Sequence, residues 1–142
     1  MADVILGLGT DVIEISRIGK AVRRHGDSFL RRVYTPKELK YAGDGNDRYR
    51  RLAGRWAAKE AVRKTLGANL SGVSWKDVEV LPGEFGEPVV RLAGQTKRIV
   101  DQMGGNRIHL SLSHSGGIVI AFALMVAREG FRAEGRTFQH GR

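Results

Sequence analysis

No cysteine occurs anywhere in the 142 residues, which excludes disulfide staples, thiolate nucleophiles and cysteine-based metal sites. Long apolar runs are missing too: none approaches the roughly 20 residues needed to cross a bilayer. Met1-Ala2-Asp3 leads directly into strand-like alternation, without the basic-then-apolar layout of a signal peptide. A soluble, cytoplasmic protein without membrane insertion is therefore expected. Several motifs are absent as well. Gly7 and Gly9 begin a GxGxxG pattern that Val12 breaks, and the chain has no Walker loop. No HExxH helix offers a zinc site, and no GxSxG elbow surrounds Ser111 or Ser113. No repeat of solenoid period is present.

Negative charge is scarce in one third of the chain. Between Arg17 and Lys64 there are 15 Lys and Arg against 5 Asp and Glu; the remainder has 9 against 10. The net charge of +9 therefore belongs to one contiguous block, which attracts an acidic partner and speeds its approach. Nucleic acid is one such partner. Aromatic side chains to stack on bases are sparse in the block, and no nucleic-acid-binding motif accompanies it, so no nucleic-acid partner is expected.

The hydrophobic pattern describes one domain of class α+β, a mainly antiparallel sheet with helices packed on it. Val4 to Ile15 reads as a buried first strand. Ser16 is placed to cap a short helix carrying Arg17, Lys20, Arg23 and Arg24. Thr35-Pro36-Lys37-Glu38 has the form of a capping box, and a long helix runs from about Arg48 to Leu66, stopped by Gly67. Trp75 to Leu81 and Pro88 to Leu92 form a strand pair, with Asp77 and Glu79 on the open side of the first. A helix over Gly94 to Met103 follows, then strands over Arg107 to Ser113 and Ile118 to Val126. Residues 1–127 form the domain and 128–142 a polar, loosely held tail.

Three segments carry chemistry. In Ala53 to Lys64, the alanines fall on one side of a helix and Arg55, Lys59, Glu60, Arg63 and Lys64 on the other. One carboxylate among four cations suits a metal ion and a polyphosphate held together. Glu60 and Lys64, at i,i+4 spacing, also fit a plain solvated pair worth a few tenths of a kcal/mol. Asp11, in a mostly apolar strand, needs a cationic partner or a metal. His109, Ser111 and Ser113 share one strand face, a surface suited to an anion. Trp56, Trp75 and Met103 read as core or interface.

Gly7 to Ile15 with Arg17-Ile18, Arg32 to Glu38, Ala53 to Lys64 and His109 to His114, in this order and spacing, resemble the holo-[acyl-carrier-protein] synthases, the small bacterial 4′-phosphopantetheinyl transferases. The likeness spans residues 4 to 126. It implies transfer of the phosphopantetheine arm of coenzyme A to a serine of apo-acyl-carrier protein, in fatty acid biosynthesis. Asp11 and Glu60 would hold Mg²⁺, and Lys64 would contact the transferred phosphate. Arg55 and Lys59 would hold coenzyme phosphates, and His109 would line the coenzyme site from a neighbouring subunit of a homotrimer; Ser111 and Ser113, on the same anion-binding face, are further candidates for the coenzyme. Arg17, Arg24 and Arg32 would meet the carrier protein. Glu60 is the first candidate for the base that receives the serine proton. The family has Phe where Trp56 stands, and Gly-Thr-Gly where Gly67-Ala68-Asn69 stands, so one hydroxyl is missing from that loop.

Overall fold

Two glycines determine where the long helix lies. The computed structural model describes residues 3–68 and 70–128; in it, strand β1 (Asp3–Glu14) packs against a helix at Arg48–Thr65. A Cβ on Gly7 would collide with the Thr65 carbonyl, and one on Gly9 with that of Ala61. Only glycine permits so close an approach of backbone to backbone. The helix answers with small residues: Ala53, Ala57, Ala58 and Ala61 are fully buried.

Between these two elements the chain forms helices α1 (Ile15–His25), α2 (Asp27–Val33) and α3 (Pro36–Ala42); the long helix is α4. A 3₁₀ turn at Trp75–Asp77 leads into hairpin strands β2 (Val78–Pro82) and β3 (Pro88–Leu92). Helix α5 (Gly94–Met103) and strands β4 (Arg107–Ser115) and β5 (Ile118–Arg128) complete the fold. The main sheet is antiparallel with order β1-β5-β4, and the hairpin forms a second sheet of two strands. Register is set by pairs such as Asp11 with Ala121 and Ser113 with Ile120. Period-two alternation sends Ile13, Val119, Ala121 and Ala123 into the core beneath α4. A smaller cluster of Leu66, Ile99, Val100 and Met125 seats α5. This is the α+β domain expected, with two antiparallel sheets instead of one.

Three local expectations need correction or limitation. Ser16 is not the cap of α1: β1 stays paired through Glu14, and the Ile15 amide donates to the Gly117 carbonyl (2.8 Å), so strand turns directly into helix. Trp75–Asp77 is not strand. Asp77 turns inward, accepting from the Ser74 amide (3.1 Å) and from the Thr96 amide and hydroxyl (3.3 and 3.1 Å), which closes a 3₁₀ turn. Arg128 ends β5, and the rest of the expected tail, 129–142, lies outside the described residues, as does Asn69. Among the described residues no helix is long and apolar enough to cross a membrane.

Candidate active site

Beyond Gly9 the crossing of β1 and α4 opens, and polar side chains fill the gap. Asp11 follows Gly9 by two residues and so shares its face of the strand. From α4, the Lys64 ammonium donates to the Thr10 carbonyl (2.6 Å) and pairs with Asp11 Oδ1 at 3.4 Å. Glu60 stands one turn earlier on the helix, its Oε1 accepting from Arg63 Nη1 at 3.3 Å. The side chains of Asp11, Glu60 and Arg63 are 16%, 24% and 27% exposed, against 52% for Lys64. Burial is the main influence that raises the Glu60 carboxyl above the usual carboxylate range. Arg63 opposes it, the nearby Asp11 charge adds to it, and Lys64 opposes it. Two carboxylates thus lie near enough to feel each other's charge, each kept company by a cation from α4. Their hard oxygen donors fit Mg²⁺, which binds through one or two carboxylates and fills its remaining positions with water and phosphate. Among the described residues no group of three or more His, Cys, Asp or Glu side chains competes for that role.

The expected cationic arc is incomplete. Lys59 is fully buried, and its ammonium donates to Glu38 Oε1 (2.7 Å), the Trp75 carbonyl (3.1 Å) and the Val78 carbonyl. All three protons are used, so Lys59 has nothing left for a coenzyme phosphate. Burial lowers its pKa, and the Glu38 charge offsets that. Glu38 also accepts from the Thr35 and Val80 amides, both at 3.0 Å. One carboxylate therefore closes the capping box of α3 and ties α4 to the hairpin. Arg55 is 6% exposed, with Nε donating to the Val80 carbonyl (3.1 Å) and the guanidinium 4.3 Å from the Tyr41 ring centroid. Only its terminal nitrogens remain for a ligand.

His109, Ser111 and Ser113 share the outer face of β4, as their alternation indicates, and all three are exposed. Within one chain they do not join Asp11 and Glu60, because β4 and β1 are opposite edges of the sheet and α4 covers the other face. Between them the outer face is apolar: Leu8, Val12, Ile118, Ile120 and Phe122 are 39–60% exposed. His109 also borders a cavity of about 730 Å³ whose walls include Pro88, Val90, Leu92 and Val100. Arg17, Arg24 and Arg32 are exposed on α1 and α2.

One basic group escaped the sequence reading. The first turn of α4 contains no acid, yet it carries Arg48, Arg50 and Arg51, where the helix dipole disfavours cations. Arg48 is paired with Asp44 (2.9 Å) and Arg50 with Asp47 (3.3 Å). Arg50 holds the Asp47 carboxyl below its ordinary range, and His114 at the end of β4 contributes to the same shift. Consecutive cations opposite the dipole were the available signal.

The profile described as the 4′-phosphopantetheinyl transferase superfamily matches residues 7–123, from the first glycine of the crossing through the inner strand of the sheet. The chain belongs to that superfamily. It is 42% identical over 127 residues to the holo-[acyl-carrier-protein] synthase of Halothermothrix orenii, covering 89% of this chain and 100% of that one. The solved holo-ACP-synthase of Plasmodium yoelii superposes with a TM-score of 0.79 at 31% identity, over 91% of this chain and 100% of that one. The ACPS–CoA complex of Chronobacterium ammoniagenes gives 0.73 at 29%, with the same coverages. The superfamily match takes in Asp11, Glu60 and Lys64 together with the two glycines that bring them near one another.

Proposed function

We infer that Asp11, Glu60 and Lys64 are the working centre of a holo-[acyl-carrier-protein] synthase, in which this chain moves 4′-phosphopantetheine from coenzyme A to a serine of apo-acyl-carrier protein. The observation that carries the assignment of these residues is the pairing of Lys64 with Asp11 beside a partly buried Glu60, across a crossing that only glycine allows. The serine oxygen bonds to the phosphorus nearest the pantetheine. The bond from that phosphorus to the bridging oxygen breaks, and adenosine 3′,5′-bisphosphate leaves. Such a reaction depends on positioning and charge neutralisation.

Each residue has a part in this. Asp11 and Glu60 hold Mg²⁺, which, when bound, neutralises charge on the diphosphate. Lys64, the most open of the group, steadies charge growing on the leaving phosphate oxygen. Glu60 takes the serine proton. The anion-binding face of His109, Ser111 and Ser113 comes from a second subunit of a homotrimer. The exposed apolar strip over Leu8, Val12, Ile118, Ile120 and Phe122 supports that assembly, because a free surface of this kind favours burial against another copy. Arg17, Arg24 and Arg32 receive the acidic carrier protein. A cytoplasmic location fits the co-substrates of this reaction.

Mass spectrometry of apo-acyl-carrier protein incubated with coenzyme A and the chain, with Mg²⁺ or with excess chelator, tests the reaction and its metal together. Holo protein should form in the first case only. Sedimentation at working concentration tests the trimer, and a monomer would contradict it.

A further inference from the structure

Arg63 stands three residues beyond Glu60 on α4 and donates to it. Its position is held with unusual care for a half-exposed arginine. The guanidinium carbon lies 4.8 Å from the Trp75 ring centroid. Trp75 in turn stacks on Trp56, with centroids 4.3 Å apart and planes at 23°. The Trp75 backbone is fixed from below, its carbonyl accepting from the buried Lys59 ammonium at 3.1 Å. The next turn is closed by the Asp77 contacts with Ser74 and Thr96. A rigid aromatic platform thus aims a planar cation at a carboxylate. Cation–ring contact and charge-assisted bonding both favour that arrangement.

The pairing leaves most of the guanidinium unused. Among the described residues only Nη1 has an acceptor, Glu60 Oε1 at 3.3 Å, and Nε is buried with no partner. Surplus donors in a flat fork match the oxygens of a phosphate group better than they match a single carboxylate oxygen. Lys64, the next residue, makes the parallel contact to Asp11. Both carboxylates are therefore occupied by cations from one turn of α4. A divalent ion that binds them has to take over those contacts.

We propose that Arg63, mounted on the Trp75 ring, is the resident counter-ion of Glu60, which a divalent cation displaces and which then turns its free N–H groups to the diphosphate of the coenzyme. This rests on the reading above that Glu60 is a metal ligand. Arg63 competes with the metal in the free enzyme and assists the phosphate in the loaded one. Its removal should therefore tighten one and weaken the other.

The full chain is titrated with Mg²⁺ by calorimetry without coenzyme, and steady-state constants are measured separately. Arg63→Gln is expected to bind Mg²⁺ about 5-fold more tightly than wild type, since a positive charge beside the site is gone. Its KM for coenzyme A is expected to rise about 10-fold, with a much smaller change in the KM for carrier protein. Arg63→Lys keeps the charge and loses the fork. It should leave Mg²⁺ affinity within about 2-fold of wild type and restore only part of the coenzyme KM. A merely structural role would not tighten metal binding. Mg²⁺ affinity in Arg63→Gln that is unchanged or weaker would overturn the counter-ion role, and an unchanged coenzyme KM would overturn the phosphate contact. A wild-type chain that neither binds Mg²⁺ nor forms holo protein would instead overturn the underlying reading of Glu60.

Discussion

Lys59 and Lys64 stand five positions apart on the same helix and do opposite work. Lys59 is fully buried, its three protons committed to Glu38 and to the carbonyls of Trp75 and Val78. Lys64 is 52% exposed and rests on Thr10 and Asp11 at the open end of the crossing. Helical angle alone puts both among the charged side chains of α4, but what each one meets comes from elsewhere in the chain. Glu38 lies 21 positions before Lys59, in a capping box that already explains why an acid belongs there. Asp11 lies 53 positions before Lys64, beyond two glycines. A cation on a helix becomes a strut or a tool according to whether its acceptors are complete.

That contrast can be broken in several ways. The largest effect is expected at the carboxylates. Asp11→Asn and Glu60→Gln keep shape and remove charge, so each should lower the rate of holo-protein formation by about 1,000-fold or more, with thermal unfolding near that of wild type. Collapse of the fold in either variant would move that residue to the structural side of the comparison.

The lysines themselves come next. Lys59→Met leaves Glu38 buried with its charge unmatched and should cost about 3–5 kcal/mol of stability, measured by urea unfolding. Lys64→Met should change stability by less than about 1 kcal/mol, because its pairing is open to solvent, while lowering the rate about 100-fold. The reverse pattern would undo the distinction. Gly9→Ala sharpens it further. Its Cβ meets the Ala61 backbone, which has to move; the separation of Asp11 from Glu60 changes with it. A loss of about 1–3 kcal/mol and about 100-fold in rate is expected together. The smallest effect is expected at the proposed carrier-protein contact: Arg17→Glu should raise the KM for carrier protein about 10-fold, leaving that for coenzyme A nearly unchanged. Raising salt should weaken the wild type in the same direction, since exposed charges are screened over about 8–10 Å.

Local signals proved legible. The capping box at Thr35, the ends of α5 at Gly94 and Met103, and the alternation of His109, Ser111 and Ser113 all rest on residues within one turn or one strand. Elements whose shape depends on a distant partner were not. Trp75–Asp77 reads as strand until Thr96 supplies the donors that pull Asp77 inward. Arg55 and Lys59 read as open phosphate ligands until the hairpin carbonyls and Glu38 cover them. The meeting of Asp11 with Lys64 was half visible: a carboxylate in an apolar strand needs a cationic partner or a metal, but nothing local named a lysine 53 positions away. Within one chain His109 lies across the sheet from Asp11 and Glu60, so its proposed place at the coenzyme calls for a second copy, which no pattern within one copy expresses.

The most direct test of the account measures phosphopantetheine transfer by wild type and by the Lys59→Met and Lys64→Met variants under conditions where each is folded. Apo-acyl-carrier protein, coenzyme A and Mg²⁺ are mixed, and holo protein is counted by mass spectrometry. If Lys59 is a strut and Lys64 a tool, folded Lys59→Met retains a rate within about 10-fold of wild type, while Lys64→Met falls about 100-fold. Equal loss in the two folded variants, or full activity in Lys64→Met, would contradict the assignment of the site.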